Sequence, residues 1–207
     1  MILQTGIGPE RAYRATEYLL ANYPVTHLIS SGYCGALEER ARTGHAFLAS
    51  SLKTMDSEDL LESDSTLLSL ARSALKQADI PSQEGLLMTS PKAILDTAEK
   101  SKVASDSGAK AVDMESFFIH RAVQEKDQKI ASLTVRFVVD GLQDPLTDTE
   151  GILDAEARLK PLGLMRETIR RPKILMELPG LGKKAGIARR SMSRFLKTLF
   201  ISESSMK

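Results

Sequence analysis

The sequence predicts an α/β fold of three layers, in which a mostly parallel central sheet is covered by helices on both faces. Short apolar runs with the composition of buried strands alternate with helical patterns of roughly 10–15 residues. Strands that alternate with helices need crossover connections, and such connections join parallel strands. The 207 residues suffice for one core without disulfides, and the one cysteine, Cys34, excludes an intrachain disulfide framework.

The strand predictions rest on apolar and β-branched runs. The clearest run covers residues 130–139, where such side chains follow one another almost throughout. Further strands are predicted at residues 26–31, 46–49, 85–89 and 109–112. The acidic segment from Asp56 to Asp64 is expected to be a solvated loop.

Helices are predicted between the strands at residues 9–22, 64–78, 91–106 and 115–126. Pro9 suits a first-turn position, and apolar residues at three- and four-residue steps give the second helix one apolar face. Beyond Asp140 the pattern changes. Residues 154–171 are expected to be helical with a kink at Pro161, another helix starts at Pro172, residues 178–182 break it, and a last helix covers residues 184–200.

Charge is distributed unevenly along the chain. The formal net charge is +1, yet ten Lys and Arg residues lie between Arg166 and Lys197 against two glutamates. We therefore predict an α/β domain at residues 1–165 and a basic, amphipathic helical extension at residues 166–207. Such an extension suits either peripheral contact with an anionic inner-membrane surface or packing on its own body. No interleaved aromatic residues accompany the charge, so we predict no nucleic-acid partner.

No apolar run approaches the roughly 20 residues that span a bilayer, and residues 1–11 do not have the pattern of a signal peptide. We therefore predict a cytoplasmic protein. The histidines show no metal-ligand spacing, and we predict neither a metal nor a cofactor. Structural roles are assigned to all three of them: His27, His45 and His120.

Two glycine-containing segments could line a ligand site. TGIGPERA, residues 5–12, leads a glycine turn into a helix whose free N–H groups can hold an anion, although two glycines also serve simply to turn the chain. SSGYCGAL, residues 30–37, follows a buried strand, where open parallel sheets bind ligands. Within it, Cys34 is expected to be a packed residue, because no His or Asn pattern marks a partner base.

Two further segments place charged residues at strand ends. AVDMES, residues 111–116, opens a helix, where Asp113 or Glu115 could also be an ordinary helix-start acid. In VRFVVD, residues 135–140, Arg136 interrupts an apolar strand that Asp140 closes. A buried guanidinium needs a carboxylate, and Glu115 is the predicted partner; the alternative is an Arg136 head group that reaches solvent.

In this order and at these separations, the four segments resemble the purine nucleoside phosphorylase and methylthioadenosine/S-adenosylhomocysteine nucleosidase superfamily over residues 2–140. A narrower similarity is carried by GAKAVDMES, the helix after it, and Arg170-Arg171-Pro172 with its basic helical tail. It is to the hopanoid-associated phosphorylases, to which release of adenine from adenosylhopane is ascribed.

The resemblance implies cleavage of the N-ribosidic bond of an adenosine-type nucleoside, which makes a hopanoid-linked adenosine an expected substrate. Asp140 would protonate or hydrogen-bond the purine N7. Glu115 would accept hydrogen bonds from the ribose 2′- and 3′-hydroxyls, Met114 would pack on the sugar, and Arg136 would orient Glu115. As an acid, Asp140 would need a pKa well above about 3.9, which burial can produce.

The chain departs from the family pattern in two places. Phosphorolytic relatives bind phosphate with an Arg and a Ser around the segment that corresponds to SSGYCGAL. This chain has Ser30 and Tyr33 at the matching positions, so hydrolysis is favoured over phosphorolysis. Gly32 and Tyr33 are still assigned to substrate binding. Nucleosidases take a water-activating Glu from a first strand before TGIGPERA, and we expect this fold to lack that strand. A partner subunit in a homo-oligomer would cover the open edge; a catalytically impaired, nucleoside-binding or structural remnant is the alternative function.

Overall fold

The computed structural model describes residues 1–94, 96–142 and 174–204. In chain order the elements are α1 (Pro9–Asn22), β1 (His27–Ala36), β2 (Ala46–Thr54), β3 (Ser57–Glu62), α2 (Ser65–Gln77), β4 (Ser82–Thr89), α3 (Thr97–Ser107), β5 (Ala111–Asp113), α4 (Ser116–Lys126), β6 (Ala131–Asp140) and α5 (Ile174–Ser204). The helix predicted at residues 154–171, the kink at Pro161 and the predicted domain boundary at residue 165 lie outside the described residues.

The strands form one sheet in the order β3-β2-β4-β5-β1-β6, and β6 also pairs with β2, so that the sheet closes on itself. Three of the pairings in the described ranges are parallel (β1–β6, β2–β4 and β4–β5) and three are antiparallel (β1–β5, β2–β3 and β2–β6). The α/β fold class is confirmed. The sheet is more mixed than predicted, because β1 and β2 are joined by a loop without a crossover helix, and the chain reverses direction there.

Polar side chains cap two of the helices. Asp64 accepts a hydrogen bond from the N–H of Leu67 at the start of α2, and Asp96 accepts from the N–H groups of Ala98 and Glu99 at the start of α3. The cap at Asp96 explains why α3 begins six residues later than predicted. The other three predicted helices before residue 130 agree with α1, α2 and α4 within about one residue at each end.

The acidic segment that was expected to be a loop contains strand β3, so that prediction is wrong. β3 pairs antiparallel with the second half of β2, with Leu61 opposite Leu52. Leu61 is buried, whereas Glu58, Asp59 and Leu60 are exposed. One apolar side chain and an edge position therefore suffice for a strand whose remaining side chains face solvent.

Helix α5 contributes to the largest core cluster, which it forms with α2, β2 and β6. Ala188, Phe195 and Leu199 are fully buried, and the Phe195 ring lies 5.9 Å from that of Phe137. The break predicted at residues 178–182 is wrong, since the helix continues through it. A proline inside a helix costs about 3 kcal/mol, which burial of two large side chains at roughly 1.5–3 kcal/mol each can offset. Over the described ranges, no helix combines the length and apolar character needed to cross a membrane.

Candidate active site

The parallel pairing of β1 and β6 brings SSGYCGAL beside VRFVVD. Gly32 is in register with Arg136, and Gly35 is in register with Asp140 after a β-bulge. A Cβ atom on Gly32 would lie 2.8 Å from Nη1 of Arg136, and one on Gly35 would lie 3.3 Å from Oδ2 of Asp140. Each glycine therefore leaves room for one charged side chain of β6.

Arg136 is 3% exposed, and its Nε donates a 2.7 Å hydrogen bond to Oδ2 of Asp113. The prediction that this guanidinium is buried with a carboxylate is confirmed, but Glu115 as its partner is wrong. Asp113 ends strand β5 within the sheet, whereas Glu115 lies at the start of α4 outside it. The Asp113 carboxylate also accepts hydrogen bonds from the hydroxyls of Thr89 and Ser116, so it is well satisfied.

Glu115 is partly buried and is tied to the first segment. The N–H of Gly8 donates a 2.9 Å hydrogen bond to its Oε1. Burial raises the pKa of Glu115 above its usual value, and the Asp113 carboxylate raises it further. The charge of Arg136 and the N–H groups of Gly8 and Met114 oppose this rise. A carboxylate has about four lone-pair sites, so Glu115 keeps acceptor capacity for a ligand hydroxyl.

Asp140 is 2% exposed and forms an ion pair with the ammonium group of Lys100. Lys100 is fully buried, and its Nζ also donates a 3.2 Å hydrogen bond to the carbonyl of Gly141. No pattern in the sequence pointed to Lys100, because a lysine in a predicted helix is normally a solvated charge. Its burial follows from how α3 lies beside the end of β6, which no local pattern reveals.

The remaining predicted site residues lie around this cluster. Tyr33 is 40% exposed, and burial raises the pKa of its hydroxyl while the charge of Arg189 on α5 acts in the opposite direction. Met114 is partly buried between β5 and α4. Cys34 is 3% exposed, and burial raises the pKa of its thiol, in agreement with a packed residue.

The structural role predicted for His120 is confirmed. The ring is buried between α4 and β6, where its two nitrogens share hydrogen bonds of 3.1 Å with the hydroxyls of Ser132 and Thr134. Burial, with the charge of Arg136, lowers the pKa of His120 to about 4. His27 is exposed, and burial lowers the pKa of the part-exposed His45.

Residues 1–169 match the sequence profile of the phosphorylase superfamily. The chain belongs to this superfamily. Sequence comparison with curated proteins gives no match. The resemblance predicted at superfamily level is therefore confirmed, whereas the narrower similarity to hopanoid-associated members stays a prediction.

Solved structures with the same fold include several nucleosidases. Native futalosine hydrolase of Helicobacter pylori matches with a TM-score of 0.70 and 17% identity, over 96% of this chain and 77% of that protein. A mutant H. pylori methylthioadenosine nucleosidase with 5′-methylthioadenosine in its active site matches with a TM-score of 0.68 and 15% identity, over 96% of this chain and 78% of that protein. The Campylobacter jejuni 5′-methylthioadenosine/S-adenosylhomocysteine nucleosidase matches with a TM-score of 0.63 and 19% identity, over 70% of each chain. At these identities the similarity establishes the fold.

Proposed function

We propose that this superfamily member hydrolyses the N-ribosidic bond of an adenosine-type nucleoside and releases adenine. One observation carries the proposal: segments far apart in the sequence hold two carboxylates, Glu115 and Asp140, in separate surroundings. Gly8 holds Glu115, Arg136 holds Asp113 next to it, and Asp140 lies over Gly35. Two acids with separate surroundings are what cleavage of a glycosidic bond requires.

Glu115 would serve the sugar. As the bond breaks, positive charge develops on the ribose ring, and a nearby carboxylate stabilises it while accepting hydrogen bonds from the 2′- and 3′-hydroxyls. Its tether to Gly8 fixes one oxygen. Arg136 does not orient Glu115 by a direct hydrogen bond, but its charge favours the ionised form that this role needs. Met114, Gly32 and Tyr33 stay proposed contributors to the same pocket.

Asp140 would serve the leaving base. The electron pair of the broken bond passes to the purine, and a hydrogen-bond donor or proton at N7 stabilises the negative charge that develops there. The position of Asp140 at the end of a buried strand, screened from water, strengthens any such interaction.

Water is the proposed nucleophile. At the positions where phosphorolytic relatives hold phosphate, this chain has Ser30, which is buried, and Tyr33, which is neutral. The Nε of the nearby Arg136 is already engaged by Asp113. A phosphate dianion is usually bound by several charged donors, and this pair of residues supplies none.

The test is chromatographic measurement of adenine release from 5′-methylthioadenosine and other 5′-substituted adenosines, in phosphate-free buffer and with added phosphate. We expect equal release in both, with the free sugar as second product. Release that depends on phosphate would show phosphorolysis. No release under either condition would contradict the enzymatic proposal and favour the binding or structural remnant.

The lipid-linked substrate is proposed together with peripheral membrane contact by the end of α5. Phe200 and Ile201 are 51% and 65% exposed there, and Lys197 and Arg194 lie exposed about one and two turns earlier. The test is co-sedimentation with anionic vesicles. Binding should fall with added salt and in the Phe200→Ser/Ile201→Ser variant. Salt-insensitive binding, or binding unchanged by the substitutions, would contradict the proposal.

A further inference from the structure

We propose that Lys100 is the positioning residue of the leaving-group acid: it orients Asp140 and holds the proton that Asp140 passes to the purine N7. The inference rests on the proposed function and extends it to a residue on a different element, helix α3.

The geometry fixes the end of β6 from two sides. On one side, Nζ of Lys100 contacts both the Asp140 carboxylate and the carbonyl of Gly141. On the other side, the backbone of Gly35 lies so close that a Cβ there would be 3.3 and 3.4 Å from the two carboxylate oxygens. Lys100 therefore restrains the side chain and the backbone of consecutive residues, and the Asp140 carboxylate has little freedom to turn.

Packing alone does not account for a lysine in this position. Lys100 is the one residue of α3 that is fully buried, and its side chain is 0% exposed. An apolar residue of similar volume would fill the same space without the desolvation of two charges, and such replacements of buried ion pairs are often neutral or stabilising. The retained charge is therefore better explained by what it does to Asp140.

The ion pair of Lys100 and Asp140 also provides a source for the proton that the purine takes up. An ion pair with an ammonium group favours the charged carboxylate, which has no proton to give, whereas the ammonium has three N–H donors. When the N-ribosidic bond breaks, its electron pair goes to the purine. A proton then passes from Nζ of Lys100 through the Asp140 carboxylate to N7. Lys100 ends as a neutral amine, Asp140 as a carboxylate and the purine as a neutral base, while the positive charge lies on the ribosyl group. Water adds to that group to give the free sugar, and the proton that the added water releases restores the ammonium form of Lys100 through solvent.

The experiment compares two substrates of the same enzyme. One is 5′-methylthioadenosine, whose base needs a proton to leave. The other is 4-nitrophenyl β-D-ribofuranoside, whose nitrophenolate leaves without one. For Lys100→Met we expect kcat for adenine release to fall about 100-fold with KM changed less than about threefold. Release of nitrophenolate should stay within about threefold of wild type. Lys102→Met is the matched control. Lys102 lies two residues further along the same helix and is exposed, so its substitution should leave both reactions unchanged.

Each outcome discriminates. An equal loss on both substrates would mean that Lys100 is merely structural, and an unchanged rate of adenine release would mean that it has no role; either result overturns the inference. Should Lys100→Met fail to fold, Lys100→Gln, which keeps a neutral hydrogen-bond donor on a side chain one bond shorter, is tested by the same substrate pair and the same criteria. Wild-type protein that cleaves neither compound would overturn the proposed function, and the inference with it.

Discussion

Gly32 and Gly35 are the smallest residues of the site, and the positions of the Arg136 and Asp140 side chains depend on them. Arg136 lies in register with the first and Asp140 with the second. The requirement is one of space, since side chains on these glycines would meet groups that cannot easily move. Arg136 is held by Asp113, and Asp140 by Lys100.

We predict that Gly32→Ala and Gly35→Ala both lower adenine release, Gly32→Ala more strongly, because its new Cβ would approach Nη1 of Arg136 within 2.8 Å. Overpacking of this kind costs about 1–3 kcal/mol of stability. Activity and urea unfolding are measured together. Gly182→Ala is the control, since nothing lies within 4 Å of its Cβ position. Wild-type activity in both variants would refute this account of the two glycines.

Glu115→Gln tests the carboxylate assigned to the ribose. We expect a loss of about 100-fold in kcat/KM, because the neutral amide does not stabilise the positive sugar. In wild type the ionised form is required. Because burial raises the pKa of Glu115, kcat/KM should increase with pH over a range that lies above the ordinary glutamate value. The pH–rate profile of both proteins checks this, and a variant with the wild-type acid limb would rule the assignment out.

At the scale of elements, helix α5 is the part of the chain whose interpretation changed most. The sequence showed its apolar stripe correctly but indicated a break before it. Packing against β6 and α2, which is not visible in a local pattern, favours one continuous helix. Strand β3 was missed for a similar reason, since pairing with β2 supports a sequence in which half of the residues are acidic.

Removal of the Phe195 ring, which packs helix α5 against the sheet, should destabilise the whole domain. Phe195→Ala removes a fully buried ring beside Phe137, and we expect a loss of about 3–5 kcal/mol in the free energy of unfolding. Phe200→Ala is the matched control at an exposed position of the same helix, with an expected change within about 0.5 kcal/mol. Chemical denaturation measures both. Equal effects of the two substitutions would mean that α5 does not pack as described.

The contact between α4 and β6 predicts a pH dependence of stability. The pKa of His120 is lowered to about 4 from an ordinary value of 6.5, so between these values the unfolded chain binds a proton that the folded protein does not. This contribution to stability is fully present above about pH 6.5 and is lost as pH falls towards 4, in total about 3 kcal/mol.

Urea unfolding at pH 7 and pH 4.5 checks this dependence. In His120→Gln, which keeps polar contacts but does not titrate, the loss on acidification should be smaller than in wild type. His27→Gln, at an exposed site, should behave like wild type. If all three proteins lose the same stability, His120 is not the group responsible.

For the whole molecule, the sequence was sufficient for the α/β class and the superfamily, and it also singled out Glu115, Arg136 and Asp140, which stay proposed site residues. Periodic apolar patterns identify elements, and segments such as VRFVVD and AVDMES mark strand ends. Closure of the sheet, the choice of Asp113 over Glu115 by Arg136, and the burial of Lys100 depend on contacts between distant segments, which local patterns do not specify. The homo-oligomer stays a prediction, for which light scattering is the measurement.

The proposed chemistry depends on Asp140 acting on the leaving base, and the following comparison of three proteins examines that role. Adenine release from 5′-methylthioadenosine is followed for wild type, Asp140→Asn and Asp127→Asn, a substitution at an exposed turn, with circular dichroism to verify folding. We predict that wild type and Asp127→Asn release adenine at equal rates, while folded Asp140→Asn is slower by about 100-fold or more. A folded Asp140→Asn protein that works as fast as wild type would contradict the account.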